Sequence, residues 1–540
     1  MVKPATNPLR CRDCLRKPQR HLNLSVMKPP ALASVDTLNR MIQAANECCL
    51  RGDFRQGAEI FERAGGIGPA NWQLLLQSGR AYFFDHDYAA AERCFEKVVR
   101  MVPHNLEALT AMGRLSFDHH QHRMAEAYLR RAVEQPGAAV DTLARLATVY
   151  ERLHRLEDAA AMAERALHLD NACPSARLTQ AKVHRQAGRL VEAEQAVRPI
   201  LTAADREFRV RGYYELGGIY DRQGRYDEAM TAFLEAKALL LPDAPPLLAQ
   251  MQSIIRNARD MENNVSAEQL QRWRDAGREL PPAHRLAFLG GHARSGTTLL
   301  EQVLDSHPDI VTADETFFFY FKGYGFLTHH LPEGTSVVAG LEAAQTGALR
   351  QARANYFRSM ESHLGQPIGQ RVLVDKNPTF QELILGYVRI FPEIKLIVAL
   401  RDPRDVVLSC FMLPHWPIGR GNVTFLNLEG TVENYTRTMG IWRTLKPLIK
   451  NPWLEVRYED MVDDLDAEAR RTLDFLGVPW DPRVLAFYEH ARKKALHAPT
   501  YADVTQPIYK RAAGRWRNYQ KYLEPHLEKL EPFIKAFGYE

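Results

Sequence analysis

Residues 286–305 read LAFLGGHARSGTTLLEQVLD, and this stretch decides the fold of the second half of the chain. The apolar residues 286–289 predict a strand, and the helical spacing of the apolar residues after Thr297 predicts a helix. Gly290 and Gly291 open the loop between them. Such a strand, glycine-rich loop and helix can bind phosphate, because the first N–H groups of a helix lack partners and the helix dipole favours an anion there.

The loop from Gly291 to Thr298 has the spacing of a nucleotide-binding phosphate loop, with one departure. Thr297 stands where that motif, G-x-x-x-x-G-K-[ST], has lysine. Kinases and ATPases use the lysine on the terminal phosphates, with Mg²⁺ on the next hydroxyl. The departure therefore argues against triphosphate chemistry and indicates a smaller anion, to which Arg294 adds positive charge. A glycine-rich turn without a ligand is the alternative.

Length and composition are those of a globular protein with more than one domain. The chain has 540 residues, is 46% hydrophobic and 25% charged, and carries a formal charge of +5. That charge is small for the length, and no module of stacked aromatic and basic residues is evident, so we expect no nucleic acid as partner. No apolar run approaches the ~18 residues that span a bilayer, so we expect no membrane span.

The N-terminal segment and the cysteines bear on location and metals. Residues 1–37 are basic and proline-containing, which predicts a disordered tail or an overlong start with Met27 as the first residue. The segment lacks the apolar region of a secretory signal. Cys11 and Cys14 have no second pair at zinc spacing, so we expect no metal. Scattered, reduced cysteines predict a cytoplasmic protein.

Residues 38–242 repeat a pattern of small, aromatic, small and large positions. The period is close to the ~34 residues of a tetratricopeptide repeat, which has two helices per unit. Successive copies carry Gly79, Tyr82, Ala91 and Phe95; Gly113, Ser116, Ala125 and Leu129; and finally Gly217, Tyr220, Ala229 and Phe233. This half thus resembles a tetratricopeptide array of about six units, an all-α solenoid. Its groove would bind a peptide or protein partner, or the array would only join domains or self-associate.

Residues 243–284 predict a linker of one or two helices, over 247–261 and 267–277. From 285 to 540, apolar strands alternate with helical patterns, which predicts a parallel α/β sheet with a phosphate-loop-like site. The fold class is therefore all-α followed by α/β. The strand candidates are Leu286–Leu289, Val372–Val374, Leu396–Leu400 and Trp453–Arg457, with another strand expected before Asp314.

Charged residues follow several of these strands. Asp314 and Glu315 come where a carboxylate near a bound anion can act as a general base, because ligands bind beyond the carboxyl ends of parallel strands. Lys376 directly follows an apolar strand and can supply the positive charge that the loop lacks. A solvated loop acid and an exposed loop lysine are the alternatives.

A third charged cluster follows the strand that ends at Leu400. Arg401 and Ser409 can both reach a phosphate, the arginine through two parallel hydrogen bonds. Pro403 suits the first turn of a helix. Arg404 can instead pair with Asp402 or Asp405 as a structural cap, which is the alternative for this cluster.

In their order, these motifs resemble the sulfotransferases that use 3′-phosphoadenosine 5′-phosphosulfate (PAPS), and most closely the tyrosylprotein sulfotransferases. The resemblance covers residues 285–540, and its combination with repeats is similar to a bacterial family of tetratricopeptide-repeat sulfotransferases. It rests on Arg294–Thr298, Asp314–Thr316, Lys376 before Asn-Pro, Arg401–Arg404 with Ser409, and Tyr458.

The resemblance implies a role for each matching position. Glu315 matches the base that deprotonates the acceptor hydroxyl, and Lys376 and Arg294 would stabilise the transferring sulfuryl group. PAPS would be the donor, and no metal is expected. The implied donor contacts are Arg294, Ser295, Gly296, Thr297, Thr298, Arg401, Ser409, Tyr458, Thr500, Tyr509, Lys510, Arg511 and Arg515.

The chain departs from the resembled family in ways that bear on the acceptor. Leu413 stands where a further phosphate-binding arginine is usual, so that contact would either be missing or be supplied by Lys510 or Arg511. Phe317 and its aromatic neighbours stand where the tyrosine-specific members have an arginine. A protein, a glycan and a small hydroxyl compound therefore all remain candidate acceptors. There are two competing hypotheses: a phosphate-loop kinase, and a repeat scaffold with an inactive sulfotransferase-like domain.

Overall fold

A computed structural model describes residues 32–66, 71–119, 121–332, 334–378, 383–414, 416–492 and 504–540. The predictions for Cys11, Cys14, Met27 and Thr500 lie outside the described residues. The described part forms two compact units. One runs to His119 and includes Ala127–Ala138, and the other comprises His120–Glu126 and Ala139–Glu540.

Among the described residues of the repeat region there are twelve helices in six pairs, as the periodicity predicts. The first begins at Leu32, six residues before the expected start of the array. The helices are α1 Leu32–Arg51, α2 Phe54–Gly65, α3 Trp72–Phe84, α4 Tyr88–Met101, α5 Leu106–Asp118, α6 His122–Val133, α7 Val140–Arg152, α8 Leu156–Leu169, α9 Pro174–Gln186, α10 Leu190–Val197, α11 Arg206–Arg222 and α12 Tyr226–Ala238.

The glycines of the repeats allow close contact between the two helices of a pair. In the first unit, a Cβ on Gly79 would lie 2.7 Å from the ring of Phe95. A Cβ on Gly217 in the second unit would lie 2.6 Å from the ring of Phe233. Both rings are buried. The small and large positions seen in the sequence are thus packing partners within a helix pair.

Two helices connect the repeats to the sheet, where the sequence predicts one or two. These are α13 Ala244–Asn264 and α14 Ala267–Gly277, so the first is longer than expected at both ends. Ser266 caps α14 by accepting a hydrogen bond from the N–H of Gln269 at 3.2 Å.

A five-stranded parallel sheet forms the C-terminal domain, with strand order β2-β3-β1-β4-β5. Each predicted strand is present, and β5 has the predicted bounds. β1 continues through its two glycines, β4 begins one residue earlier, and β3 continues through Asp375 and Lys376 because these charged residues still pair. The strands are β1 Leu286–Gly291, β2 Ile310–Asp314, β3 Val372–Lys376, β4 Lys395–Leu400 and β5 Trp453–Arg457.

Helices cover both faces of this sheet, as a parallel sheet requires. They are α15 Thr297–Asp305, α16 Gly325–Thr328, α17 Val337–Glu342, α18 Thr346–Leu364, α19 Ile384–Ile390, α20 Pro403–Met412, α21 Leu428–Leu445, α22 Tyr458–Asp463, α23 Leu465–Leu476, α24 Phe487–Ala491, α25 Gln520–Leu523 and α26 Leu527–Ala536. A π-helix spans Phe319–Tyr324, and 3₁₀ turns lie at Arg198–Thr202, Leu241–Asp243, Val423–Leu426, Pro482–Ala486, Arg515–Tyr519 and Glu524–His526.

Among the described residues, three hydrophobic clusters form core in the second unit. Phe288 and its neighbours pack on one face of the sheet, and Leu289 packs on the other against α15. A third cluster joins the last repeats to α20, where Phe233 and Leu408 belong to the same buried group. The last repeats and the sheet domain therefore share a core. No helix in the described part of the chain is both long and apolar enough to cross a membrane.

Candidate active site

The carboxyl edge of the sheet brings the predicted site residues into one row. Leu289 pairs with Lys376 across β1 and β3, and Asp314 pairs with Lys376 across β2 and β3. Gly291 pairs with Ala399 across β1 and β4. Because all strands are parallel, Glu315, Lys376, the glycine-rich loop and Arg401 follow one another along this edge.

The glycine-rich loop is a tight turn into the N-terminus of α15. Gly291 has φ +133°, and a Cβ there would lie 2.5 Å from the carbonyl oxygen of Ala399. Gly296 has φ +95°, and a Cβ there would lie 3.0 Å from the ring of Tyr458. Arg294 also has a positive φ, of 72°. The two glycines therefore let the backbone form a cradle that a side chain would fill.

Four predicted donor contacts lie together beside this cradle. Arg294 Nε donates to Ser409 Oγ at 2.9 Å, and Arg401 Nη1 donates to the carbonyl oxygen of Arg294 at 3.2 Å. The guanidinium of Arg401 lies over the ring of Tyr458, 4.8 Å from its centroid. The cluster combines two guanidinium groups and a hydroxyl, which is the donor set that a phosphate or sulfate needs.

Arg401 has a polar atom that an anion can still use. Its side chain is 7% exposed, and its Nε makes no hydrogen bond to any of the described residues. Nη2 donates to the carbonyl oxygen of Ala512. A buried guanidinium with an unsatisfied N–H beside a glycine cradle fits the phosphate groups of the implied donor.

Arg404 pairs with Asp402, which is the structural role that the sequence offers as the alternative to phosphate binding. Its guanidinium donates to Asp402 through Nε at 2.9 Å and Nη2 at 2.7 Å, and Nη2 also reaches the carbonyl oxygen of Tyr539 at 2.8 Å. Asp402 in turn caps α20 by accepting from the N–H of Arg404. Arg404 therefore fixes the start of α20 and belongs to the scaffold of the site.

Lys376 is fully buried among three carboxylates. Its Nζ donates to Asp314 Oδ1 and, at 2.8 Å, to Glu315 Oε1, and it lies 3.4 Å from Glu301 Oε2. Burial alone lowers the pKa of Lys376, but Glu301, Glu315 and Asp314 more than offset this, so that the pKa is raised above its ordinary value. Lys376 is thus a permanent cation, and the exposed-lysine alternative is wrong.

Glu315 is the carboxylate of this group that solvent reaches. Its side chain is 50% exposed, against 17% for Asp314 and 0% for Glu301. The backbone of Glu315 has φ +48°, and its N–H donates to the carbonyl oxygen of Lys376 at 2.9 Å. A non-glycine residue in this region is strained and is held by its surroundings. An acceptor hydroxyl can approach Glu315 from solvent.

Sequence reasoning missed two buried carboxyl groups next to Lys376. Glu301 lies on α15 in an apolar run, and Thr312 donates to its Oε1 at 3.1 Å. Asp375 accepts from the hydroxyls of Tyr356 and Tyr387 at 2.7 and 2.6 Å. Burial raises the pKa of Asp375 to about 6, despite the lowering by both tyrosines and by Lys376. In the sequence, the only indication of these two buried carboxyl groups is that each acidic residue lies within an apolar run.

The remaining predicted contacts lie on the segment after residue 504. Lys510 Nζ contacts Asp463 at 2.5 Å, and the guanidinium of Arg511 lies 4.2 Å from the ring centroid of Tyr509. Arg515 pairs with Asp221 of α11 at 2.8 Å. The predicted donor-binding role of these four residues stays a prediction. The backbone of the same segment does meet the site, through Ala512 and Arg401.

Comparison with known proteins agrees with this architecture. Residues 287–482 match the sulfotransferase family, and residues 76–139, 144–207 and 210–239 match tetratricopeptide repeats. A protein of Aquifex aeolicus is 24% identical over 343 residues, which are 62% of this chain and 43% of that protein. The protein-tyrosine sulfotransferase of Drosophila melanogaster is 28% identical over 285 residues, which are 50% of this chain and 54% of that enzyme.

Among solved structures, the sulfotransferase domain of the Synechococcus PCC 7002 olefin synthase is 22% identical and gives a TM-score of 0.34. The superposed region covers 44% of this chain and 89% of that domain. The chain spans about half the length of the relatives that it matches first. The match to the sulfotransferase family includes residues of all five strands of the sheet, and the matches to tetratricopeptide repeats run from α3 to α12.

Proposed function

We propose that this chain transfers a sulfuryl group from PAPS to an acceptor hydroxyl. The observation that carries the proposal is the row of groups along the sheet edge. Glu315 and Lys376 lie at the ends of β2 and β3, and Arg294 and Arg401 follow the next two strands, β1 and β4, with Ser409 bonded to Arg294. This arrangement combines a base, a buried cation and an anion cradle. Sulfuryl transfer between two oxygens needs positioning and positive charge, and no covalent nucleophile.

The donor would be held by the cradle and by the residues around it. In this proposal the loop from Arg294 through Ser295, Gly296 and Thr297 to Thr298 binds the phosphosulfate. Arg401 and Ser409 bind the 3′-phosphate, and Tyr458 contacts the nucleotide. The segment with Thr500, Tyr509, Lys510, Arg511 and Arg515 supplies further contacts. When bound, the donor would supply the sulfuryl group: its bridging S–O bond would break, a new S–O bond to the acceptor oxygen would form, and adenosine 3′,5′-bisphosphate would leave.

Two side chains carry the proton and the charge. Glu315 accepts the proton of the acceptor hydroxyl, because it is the exposed carboxylate of the group. Lys376 stabilises negative charge at the transferring group, because its three carboxylate neighbours keep it protonated. Asp314 and Glu301 are less exposed and set the charge and position of Lys376.

Among the candidate acceptors, the surroundings of Glu315 favour one with an aromatic ring, such as a protein tyrosine. Phe317 is 66% exposed and Phe321 is 56% exposed, and the two rings lie 6.3 Å apart just beyond Glu315. Exposed aromatic side chains suit an acceptor with an apolar ring. Relatives named protein-tyrosine sulfotransferases support the same choice. The repeats would present this acceptor or bind a partner protein.

The test is transfer of ³⁵S from labelled PAPS to a panel of acceptors: tyrosine peptides, oligosaccharides and simple phenols. We expect incorporation into at least one class, and a tyrosine peptide to be the best. Glu315→Gln should lower turnover roughly 100- to 10,000-fold, because it removes the base. Glu528→Gln, on the exposed surface of α26, is the matched control and should retain activity. Wild-type turnover by Glu315→Gln would contradict the assigned base.

A further inference from the structure

The segment 512–522 contacts the proposed phosphate site through the backbone of its first five residues. Asp405 of α20 accepts from the N–H of Gly514 at 2.6 Å and from the N–H of Trp516 at 2.7 Å. The carbonyl oxygen of Ala512 accepts from Arg401 Nη2. The placement of this segment therefore helps to set the orientation of Arg401.

The opposite side of the same segment is bound by the repeat array. Asp221, at the end of α11, pairs with Arg515 at 2.8 Å and accepts from Tyr519 Oη at 2.7 Å. The Asp221 side chain is only 17% exposed, and Tyr519 is fully buried against Tyr226 of α12, with ring centroids 5.3 Å apart. One carboxylate thus holds two side chains of the segment.

A second carboxylate of the array offers an internal comparison. Asp227, at the start of α12, contacts Lys521 at 2.7 Å and accepts from Tyr522 Oη at 2.9 Å. Both members of that ion pair are more than 60% exposed. Exposed ion pairs contribute little, whereas partly buried charge-assisted hydrogen bonds contribute more. Asp221 is therefore the contact that can hold the segment in place.

We infer that Asp221 is a positioning residue for the 3′-phosphate subsite, although it lies in the last helical repeat. It fixes Arg515 and Tyr519, which keeps Gly514 and Trp516 on Asp405 and Ala512 on Arg401. The repeat array then forms part of the nucleotide-binding machinery. The inference rests on the proposed function, because it takes Arg401 as a phosphate contact.

The first measurement is the affinity of the full-length protein for adenosine 3′,5′-bisphosphate by calorimetry. Asp221→Ala should bind about tenfold more weakly than wild type, because the segment is released from Arg401. Asp221→Asn keeps an acceptor oxygen and should fall between the two. Asp227→Ala removes the exposed contact of the same segment and should bind like wild type.

The second measurement is the rate of tryptic cleavage after Lys510 and Arg511, both exposed, in protein without nucleotide. Asp221→Ala should be cut several-fold faster at these sites than wild type or Asp227→Ala. If Asp221→Ala does not fold, Tyr519→Phe removes one hydrogen bond to Asp221 while keeping the ring, and should show the same changes in smaller degree.

Two results would overturn the inference. One is that the Asp221 variants bind the bisphosphate and are cleaved like wild type, and the other is that Asp227→Ala changes affinity and cleavage as much as Asp221→Ala does. Failure of the proposed function looks different, because the wild type itself would then not bind adenosine 3′,5′-bisphosphate. In that case the subsite role of Asp221 fails with it, and the cleavage rates decide whether Asp221 holds the segment.

Discussion

At the scale of single residues, two neighbours on β3 show how a side chain's surroundings set its charge. Lys376 has three carboxylate neighbours and a raised pKa, so it stays a cation inside the protein. Asp375 has two tyrosine hydroxyls as hydrogen-bond donors, yet its burial still raises its pKa to about 6. The first is suited to stabilise an anion. The second makes stability depend on pH in a direction opposite to that of a salt-bridged carboxylate.

The pH dependence of Asp375 has a definite sign. Its pKa in the folded protein is about 6, above the ordinary value of 3.8, so the folded state binds the proton more tightly. Its stabilising effect is therefore fully present below pH 3.8 and is lost as pH rises through 6. Wild type should lose about 2 kcal/mol relative to Asp375→Asn between pH 4 and pH 7. Urea denaturation at both pH values measures this, and a pH-independent difference would contradict it.

At the scale of elements, α20 connects the site to the repeats. Its start is capped by Asp402, Ser409 faces the cradle, and Phe411 on its last turn packs in the core shared with the last repeats. Lys237 of α12 lies 4.3 Å from the ring centroid of Phe411 and donates to the carbonyl oxygen of Phe425 at 2.6 Å. A lysine inside this shared core makes the junction sensitive to pH.

Lys237→Met should be more stable than wild type at low pH. Burial lowers the pKa of Lys237 to about 7, below its ordinary value of 10.5. A depressed lysine pKa means that stability is fully present above pH 10.5 and is lost as pH falls through 7. Wild type should therefore lose about 3 kcal/mol relative to Lys237→Met between pH 9 and pH 6. If the difference in unfolding free energy between wild type and Lys237→Met were the same at both pH values, the prediction would be wrong. The amine would then not be desolvated in the folded protein.

Much of this could be predicted at the scale of elements, because the clues are local. Apolar runs predict strands, and the charged residues after them meet at one edge because the strands are parallel. The pairing of Gly79 with Phe95 is likewise visible as a repeat. Contacts between distant segments were not predictable, and Arg515 meets Asp221 across 294 residues of sequence. Nothing near Asp221 in the sequence distinguishes it from the other acidic residues of the array.

At the scale of the whole molecule, the packing divides the chain within the repeats rather than at their end. The early repeats form one unit, while the later repeats share a core with α20 in the other. The proposed nucleotide site thus belongs to a unit that includes repeat helices. Binding a nucleotide should stabilise that unit and leave the first unit unchanged, because a ligand stabilises only the structure that binds it.

Two matched substitutions test this division. Phe95 and Phe233 occupy the same repeat position, and each packs on a glycine of its partner helix. Phe233→Ala and Phe95→Ala should each cost about 3–5 kcal/mol in their own unit. Adenosine 3′,5′-bisphosphate should raise the temperature of one unfolding transition in scanning calorimetry. Only Phe233→Ala should lower the temperature of that transition. A single transition lowered equally by both would contradict two separately packed units.

Calorimetric titration decides whether the proposed site binds a 3′-phosphorylated adenosine nucleotide without metal. We expect adenosine 3′,5′-bisphosphate to bind wild-type protein in the absence of Mg²⁺, and Arg401→Ala to lose roughly 100-fold in affinity with the loss of a buried charged contact. Lys535→Ala removes an exposed cation of α26 outside the proposed site, and this control should bind like wild type. If the protein bound ATP with Mg²⁺ and did not bind the bisphosphate, the proposed sulfuryl transfer would be wrong and a kinase would be favoured. If it bound neither nucleotide, a repeat scaffold would be favoured.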